Sequence, residues 1–113
     1  MTRRLCFALD LVEDADLIAR YEAHHAPGAV WPEVLADIRD SGVVDMEIWR
    51  TGTRMFMIAT VAADYPRDRA PAARDVEWQQ LMWTFQRPLP HAAPGEKWTE
   101  MKRIFSLSEE GRE

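Results

Sequence analysis

Val43-Val-Asp-Met-Glu-Ile-Trp-Arg50, Thr51-Gly52-Thr53 and Arg54-Met-Phe-Met-Ile-Ala-Thr-Val61 together decide the architecture of this chain. Two runs rich in apolar and aromatic residues flank a short turn signal, which reads as a β-hairpin. Working outward, Arg3 to Leu11 alternates, with Leu5, Phe7, Leu9 and Leu11 on one side and Arg4, Cys6, Ala8 and Asp10 on the other. That period of two predicts a half-buried strand.

Between that strand and the hairpin lie two helical stretches. Asp14 or Asp16 can cap a helix running to about His25, with Leu17, Ile18 and Tyr21 at helical spacing. Pro27-Gly28 stops it. Trp31-Pro32-Glu33 starts a second helix, with proline at an early position where its missing donor costs nothing. Val34, Leu35 and Ile38 give this helix an apolar stripe, and Gly42 ends it. Beyond the hairpin, Asp64 to Pro71 is polar, carries two prolines and is expected to be a mobile loop. Ala72 to Gln86 reads as an amphipathic helix bearing Val76, Leu81, Met82 and Phe85, with Trp78 and Trp83. Pro88 to Gly95 cannot be regular structure. Trp98 to Leu107 alternates again and is expected to be the last strand, followed by a charged tail, Ser108 to Glu113.

The order β, α (in two pieces), β, β, α, β predicts an α+β, ferredoxin-like βαββαβ fold, a four-stranded antiparallel sheet with helices on one face. The bare face is expected to carry Cys6, Ala8, Asp10, Trp49 and several methionines. Such a face is too apolar to leave exposed, so a second copy closing sheet on sheet is expected, giving a homodimer. A cavity is expected between sheet and helices or between the two sheets.

At 113 residues the chain fits a single domain, residues 1–113. The hydrophobic fraction of 47% and charged fraction of 29% are ordinary for a globular protein. A net charge of −5 would repel a phosphate backbone, which excludes nucleic acid as a partner. Cys6 is the only cysteine, so neither an internal disulfide nor a Cys-based zinc cluster can form. No apolar run reaches the roughly 20 residues of a membrane span, and the N-terminus lacks a secretion signal. A cytoplasmic protein is expected.

The groups suited to chemistry gather between Tyr21 and Glu33. Tyr21 and His25 lie four apart, which on a helix places their Cβ atoms about 5–6 Å apart on one face. A histidine can give and take protons near neutral pH, and a tyrosine hydroxyl can donate, accept or orient. Five tryptophans, Trp31, Trp49, Trp78, Trp83 and Trp98, are a large number for so small a domain. Indoles stack on the C–H faces of sugars while polar neighbours bind the hydroxyls. Against this, His24 reads as a helix-terminal cation, His91 as a residue of a proline-rich loop, and Glu33 as a first-turn carboxylate. The three histidines have no metal-ligand spacing, so no metal is expected. There is no glycine-rich phosphate loop and no Gly-x-Ser-x-Gly, which disfavours nucleotide binding and covalent catalysis.

Taken together these residues resemble the L-rhamnose mutarotase family. Tyr21-x-x-x-His25, Trp31-Pro32-Glu33 and Trp78 in Glu-Trp-Gln-Gln-Leu-Met carry the resemblance. Cys6 to Leu11, Met46-Glu47-Ile48-Trp49 and Ala93 to Trp98 look closer to the branch proposed to act on L-fucose. The resemblance runs from about Arg3 to Leu107. It implies a dimeric α/β barrel and a cofactor-independent aldose 1-epimerase, interconverting α and β anomers of a 6-deoxy-hexose, L-fucose or L-rhamnose. It also implies that His25 is the acid/base, that Tyr21 binds and orients the sugar, and that Trp78 helps form the pocket, with Trp49 and Trp31 as further candidate sugar contacts. Two departures stand out. Five residues, Ala26 to Val30, separate His25 from Trp31, where family members usually have about three. Gln79 also stands where rhamnose-type members tend to carry a second tryptophan. Fold alone would equally permit a small monooxygenase or lactone isomerase of the dimeric barrel class, or a non-catalytic sugar-binding module.

Overall fold

The computed structural model describes residues 1–70 and 72–109. Its elements run β1 (Thr2–Leu11), α1 (Ala15–His24), α2 (Pro32–Asp40), β2 (Val43–Thr51), β3 (Arg54–Ala62), α3 (Ala73–Trp83), β4 (Gln86–Arg87) and β5 (Thr99–Glu100). The sheet order is β2-β3-β1-β4, with β5 also on β1, and the β1–β3, β2–β3, β1–β4 and β1–β5 pairings are all antiparallel. This is the ferredoxin-like arrangement expected from the element order, with the first and third strands at the centre.

The hairpin closes where the turn signal stands. Thr51 opposes Arg54, so Gly52 and Thr53 form a two-residue loop, and Gly52 takes the positive φ (57°) that such a turn needs at its first central position. Along β2 one residue is inserted between Val43 and Asp45. The bulge lets Val43 and Met46 both face the helices despite their odd spacing. Val44 is the extra residue and remains exposed.

One face of the sheet is covered. Leu9, Leu11 and Met55 are buried against Tyr21 of α1, Val34 of α2, Trp78 and Met82 of α3, and Phe85. Val43, Ala59 and Val61 form a second cluster under Ile38 and Tyr65. On the bare face stand Cys6, Ala8 and Asp10 of β1, Phe56 and Ile58 of β3, and Glu47 and Trp49 of β2. The hairpin methionines Met46, Met55 and Met57 do not join them. Met55 is a core residue opposite Leu9, Met57 opposes Phe7, and Met46 packs into the second cluster, so the bare face owes its apolar character to Phe56, Ile58 and Trp49. Asp10 is buried there because it lies directly opposite Arg54, whose guanidinium bonds both its carboxylate oxygens at 2.5 and 3.2 Å.

The helices begin where the caps are. Asp14 accepts from the Leu17 amide at 3.0 Å to open α1, and Pro32 sits at the start of α2. Between them, Ala29 N–H bonds the Ala26 carbonyl at 2.8 Å across Pro27-Gly28. Pro at the first central position and Gly28 with φ 84° at the second make this a type II turn. The segment from Asp64 onward is polar and irregular, yet it is tied to the body. Arg69 pairs with Asp37 at 2.8 and 3.0 Å, Arg67 N–H bonds Ser41 O at 2.9 Å, and Arg3 bonds Tyr65 O at 2.9 Å. Pro71 lies outside the described residues.

Two expectations fail at the C-terminal end. Helix α3 stops at Trp83, not Gln86, because Thr84 turns its hydroxyl back onto the Leu81 carbonyl (2.7 Å) and Phe85 swings into the core. Gln86 then enters the sheet opposite Leu11. The last strand is only Thr99–Glu100, paired with Ala8 and Phe7, and not Trp98–Leu107. Continuing its register would set Arg103 opposite Arg4, and like charges directly opposite destabilise a ladder. Past the Met101 N–H bond to Cys6 O (2.7 Å) the chain leaves β1, and Ile104, Phe105 and Leu107 stand exposed. Of the expected tail, Ser108 and Glu109 lie in a 3₁₀ turn (Leu107–Glu109), Arg103 pairs with Glu109 at 2.8 Å, and residues 110–113 lie outside the described residues.

Leu9 is fully buried at the centre of the covered face. Leu9→Ala is expected to lower unfolding free energy by about 2–5 kcal/mol, measured by urea denaturation. A loss below about 1 kcal/mol would show that this cluster does not hold the helices to the sheet.

Candidate active site

A cavity of about 490 Å³ opens between the covered face and the helices, within the range of small-ligand pockets. Its walls include Tyr21 of α1 and His25 at its C-cap, Val34 and Ile38 of α2, Met46, Ile48 and Met57 of the hairpin, Trp78, Gln79 and Met82 of α3, and Gln86 and Trp98 beyond it. The walls are mostly apolar, with polar groups at Tyr21, His25, Gln79 and Gln86 and charged groups at Arg39 and Asp45.

His25 is oriented by the end of its own helix. Its backbone N–H bonds the Glu22 carbonyl at 3.0 Å, one residue short of the α-helical partner, so the Tyr21 carbonyl lacks its usual amide donor. The ring supplies one instead, with Nδ1 2.8 Å from that carbonyl. A carbonyl only accepts, so Nδ1 carries the hydrogen and the neutral ring keeps its lone pair on Nε2. Burial pushes the His25 pKa below its usual 6.5, outweighing the bond to Tyr21, and the nearby His24 adds to the lowering. The ring is thereby poised as a neutral base.

Tyr21 lies beside it, ring centroids 4.4 Å apart. Its hydroxyl accepts from Gln86 Nε2 at 3.1 Å. Burial raises the phenol pKa to about 12, only partly offset by that hydrogen bond. Trp78 closes the group edge-on, 5.6 Å from His25. Trp31 supports it from behind, 5.1 Å from Trp78, with Arg74 stacked 3.8 Å over its ring and paired to Glu33 at 3.2 Å. Trp31 is therefore a second layer and not a cavity wall. On the rim, Lys97 donates to Gln79 Oε1 at 2.5 Å and lies 4.8 Å over Trp83; burial lowers its pKa to about 8 despite Asp75.

The structure thus brings together Tyr21, His25 and Trp78, adds Trp31 behind them, and leaves Trp49 apart. Ile48 faces the cavity, so strand alternation sends Trp49 to the bare face, where it is 60% exposed and donates to Glu47 at 3.3 Å. His24 packs between Trp78 and Phe85 at 6.1 and 5.5 Å. Glu47 and Asp10, on the bare face, do not line the cavity. Gln86 was not singled out by sequence reasoning, because a lone glutamine after a helix carries no motif; Trp98 could have been found as an indole beside the Ala-Pro-Gly-Glu segment. Among the described residues no group of three or more His, Cys, Asp or Glu side chains could hold a metal, and no helix is long and apolar enough to cross a membrane.

A ferredoxin-like sheet with a mostly apolar cavity around a tyrosine, a histidine and an indole is a candidate small-molecule site on an α+β fold. The sequence model of L-rhamnose mutarotase matches residues 4–107, and the chain belongs to that family of sugar mutarotases. The chain is 51% identical over 113 residues to the L-fucose mutarotase of Xanthomonas campestris pv. campestris, covering 95% of this chain and 90% of the relative. It is 34% identical over 111 residues to a UPF0734 protein of Dictyostelium discoideum, covering 88% and 86% of the two chains. The crystal structure of the L-rhamnose mutarotase of Formosa agariphila superposes with a TM-score of 0.69 at 19% identity, over 93% of this chain and 98% of that one, and is alike in fold.

Because the folded state holds His25 below its ordinary pKa, acid favours the unfolded chain, which binds that proton more readily. The His25 contribution is therefore fully present above about pH 6.5 and is lost as pH falls through the lower folded value. Proton NMR of the imidazole C–H signals, assigned with His25→Gln, is expected to show a midpoint below 6.5. A midpoint at or above that value would mean that burial does not govern this ring.

Proposed function

We propose that the cavity binds a 6-deoxy-hexose, L-fucose ahead of L-rhamnose, and interconverts its α and β anomers with His25 as the proton carrier and no cofactor. The observation that carries this is the bond from His25 Nδ1 to the Tyr21 carbonyl, which leaves a basic Nε2 beside a phenol and an indole on one cavity wall. Opening a pyranose needs one proton removed from the C1 hydroxyl and one delivered to the ring oxygen. Rotation about C1–C2 and reclosure on the other face then invert the anomer. Tyr21 serves the second oxygen, and Trp78 and Trp98 supply apolar faces for the sugar C–H groups. Preference for L-fucose rests on the 51% identical L-fucose mutarotase and on Gln79, a polar group at the rim.

The bare sheet face fits a second copy. Trp49, Phe56 and Ile58 form an apolar centre there, and a two-fold contact would bury the indole. Sedimentation at micromolar concentration is expected to show a homodimer, dissociated or weakened by Trp49→Glu; a monomer would leave this face unexplained. The free thiol of Cys6 suits a reducing cytoplasm.

Exchange between the α and β H1 signals of L-fucose, measured by NMR, tests the activity. The protein is expected to accelerate it, and His25→Ala to lower the catalysed rate by about 10²–10⁴, the usual worth of a positioned acid/base. Exchange no faster with protein than without, for L-fucose and L-rhamnose alike, refutes the reading. Saturation-difference signals without exchange would point instead to a binding module.

A further inference from the structure

We propose that Gln86 is a positioning residue that makes Tyr21 the second proton donor of the reaction, a role that rests on the mutarotase reading above. Gln86 sits on β4 opposite Leu11, and its side chain runs inward to meet Tyr21. A phenol oxygen that accepts from Nε2 must direct its own O–H elsewhere. Both residues line the cavity, so that hydrogen is available to a ligand there.

The two partners of the reaction are then distinguishable. Tyr21, neutral to about pH 12, can give a proton but is no resting base, whereas His25 offers a lone pair. In ring opening the C1 hydroxyl proton passes to His25 Nε2 and a C1–O double bond forms. The C1–O5 electron pair moves to O5, which takes the Tyr21 proton. The phenolate and imidazolium that result are adjacent, their ring centroids 4.4 Å apart in the resting site, and reclosure on the other face returns both protons.

The other end of the amide supplies the second argument. Gln86 Oε1 is buried and has no hydrogen-bond partner among the described residues. An unmet buried acceptor weakens the fold, and an apolar side chain of similar size would avoid it. In this side chain only the Nε2 end has a partner, and that partner is the Tyr21 hydroxyl. The titratable neighbours of the pair are His25 and His24 on α1; Arg39 and Asp45 are charged groups on the same cavity wall.

Anomer exchange of L-fucose by the intact wild type, Gln86→Leu and Gln86→Glu, with thermal unfolding of each, tests the role. Gln86→Leu is expected to lower kcat about 10- to 100-fold with KM changed less than about threefold, and to unfold no earlier than wild type. In Gln86→Glu an ionised carboxylate can only accept, so it takes the Tyr21 hydrogen for itself, whereas the protonated acid donates as the amide does. The rate of this variant relative to wild type at the same pH is therefore expected to rise as pH falls. A Leu variant with kcat within about twofold of wild type, or a Glu-variant ratio flat with pH, would overturn the role. If the Leu variant does not fold, the Glu-variant ratio decides alone. No acceleration by the wild type would instead refute the mutarotase reading itself, and the role with it.

Discussion

The carbonyl of Tyr21 is the constraint on which the site depends. Helix α1 ends with His25 N–H bonded three residues back instead of four, and the orphaned oxygen is taken by the imidazole. A Tyr-x-x-x-His spacing is usually read as two side chains on one face. Here it does more, because the backbone of the first residue fixes the tautomer of the second. The type II turn at Pro27-Gly28 follows at once, so the chain reverses without disturbing that bond, and Trp31 returns to brace Trp78. The five residues between His25 and Trp31 contain this turn, and the aromatic group stays together.

The sheet sets where this group stands. Strand β1 is central, and the burial of Leu9 and Leu11 holds α1 and α3 against it. The bulge at Val44 puts Met46 and Ile48 on the covered side, which completes the cavity floor with flexible and branched apolar side chains. The same alternation sends Trp49 outward. One strand thus provides both the cavity floor and an apolar residue for another surface.

Periodicity made the long elements legible. Strands β1, β2 and β3 and the starts of all three helices lie within a residue or two of where alternation, caps and Pro or Gly place them, because in each the local signal agrees with the packing. Tyr21, His25 and Trp78 were legible for the same reason, being fixed by one helix end and one helix face. What sequence could not show depends on partners distant along the chain. The two-residue strands β4 and β5 are too short to have a period. The alternation of Trp98 to Leu107 is real, but Ile104, Phe105 and Leu107 stand exposed, and a continued register would have set Arg103 opposite Arg4. The face of the methionines was misassigned because the hairpin register and the bulge, not composition, decide which way each points. Gln86 was invisible since its meaning lies entirely in Tyr21, 65 residues away.

Environment acts in opposite directions on the titrations of His25 and Tyr21. Burial disfavours charge on both, but it moves an imidazole down and a phenol up. Had both been solvated, a larger share of the histidine would carry a proton near neutral pH. In a shared, mostly apolar cavity burial favours the deprotonated histidine and the protonated tyrosine. The apolar walls that shape the cavity therefore also favour the neutral form of both side chains. Asp10 and Glu47 stand on the opposite face of the sheet, and the charged groups that do line the cavity are Arg39 and Asp45.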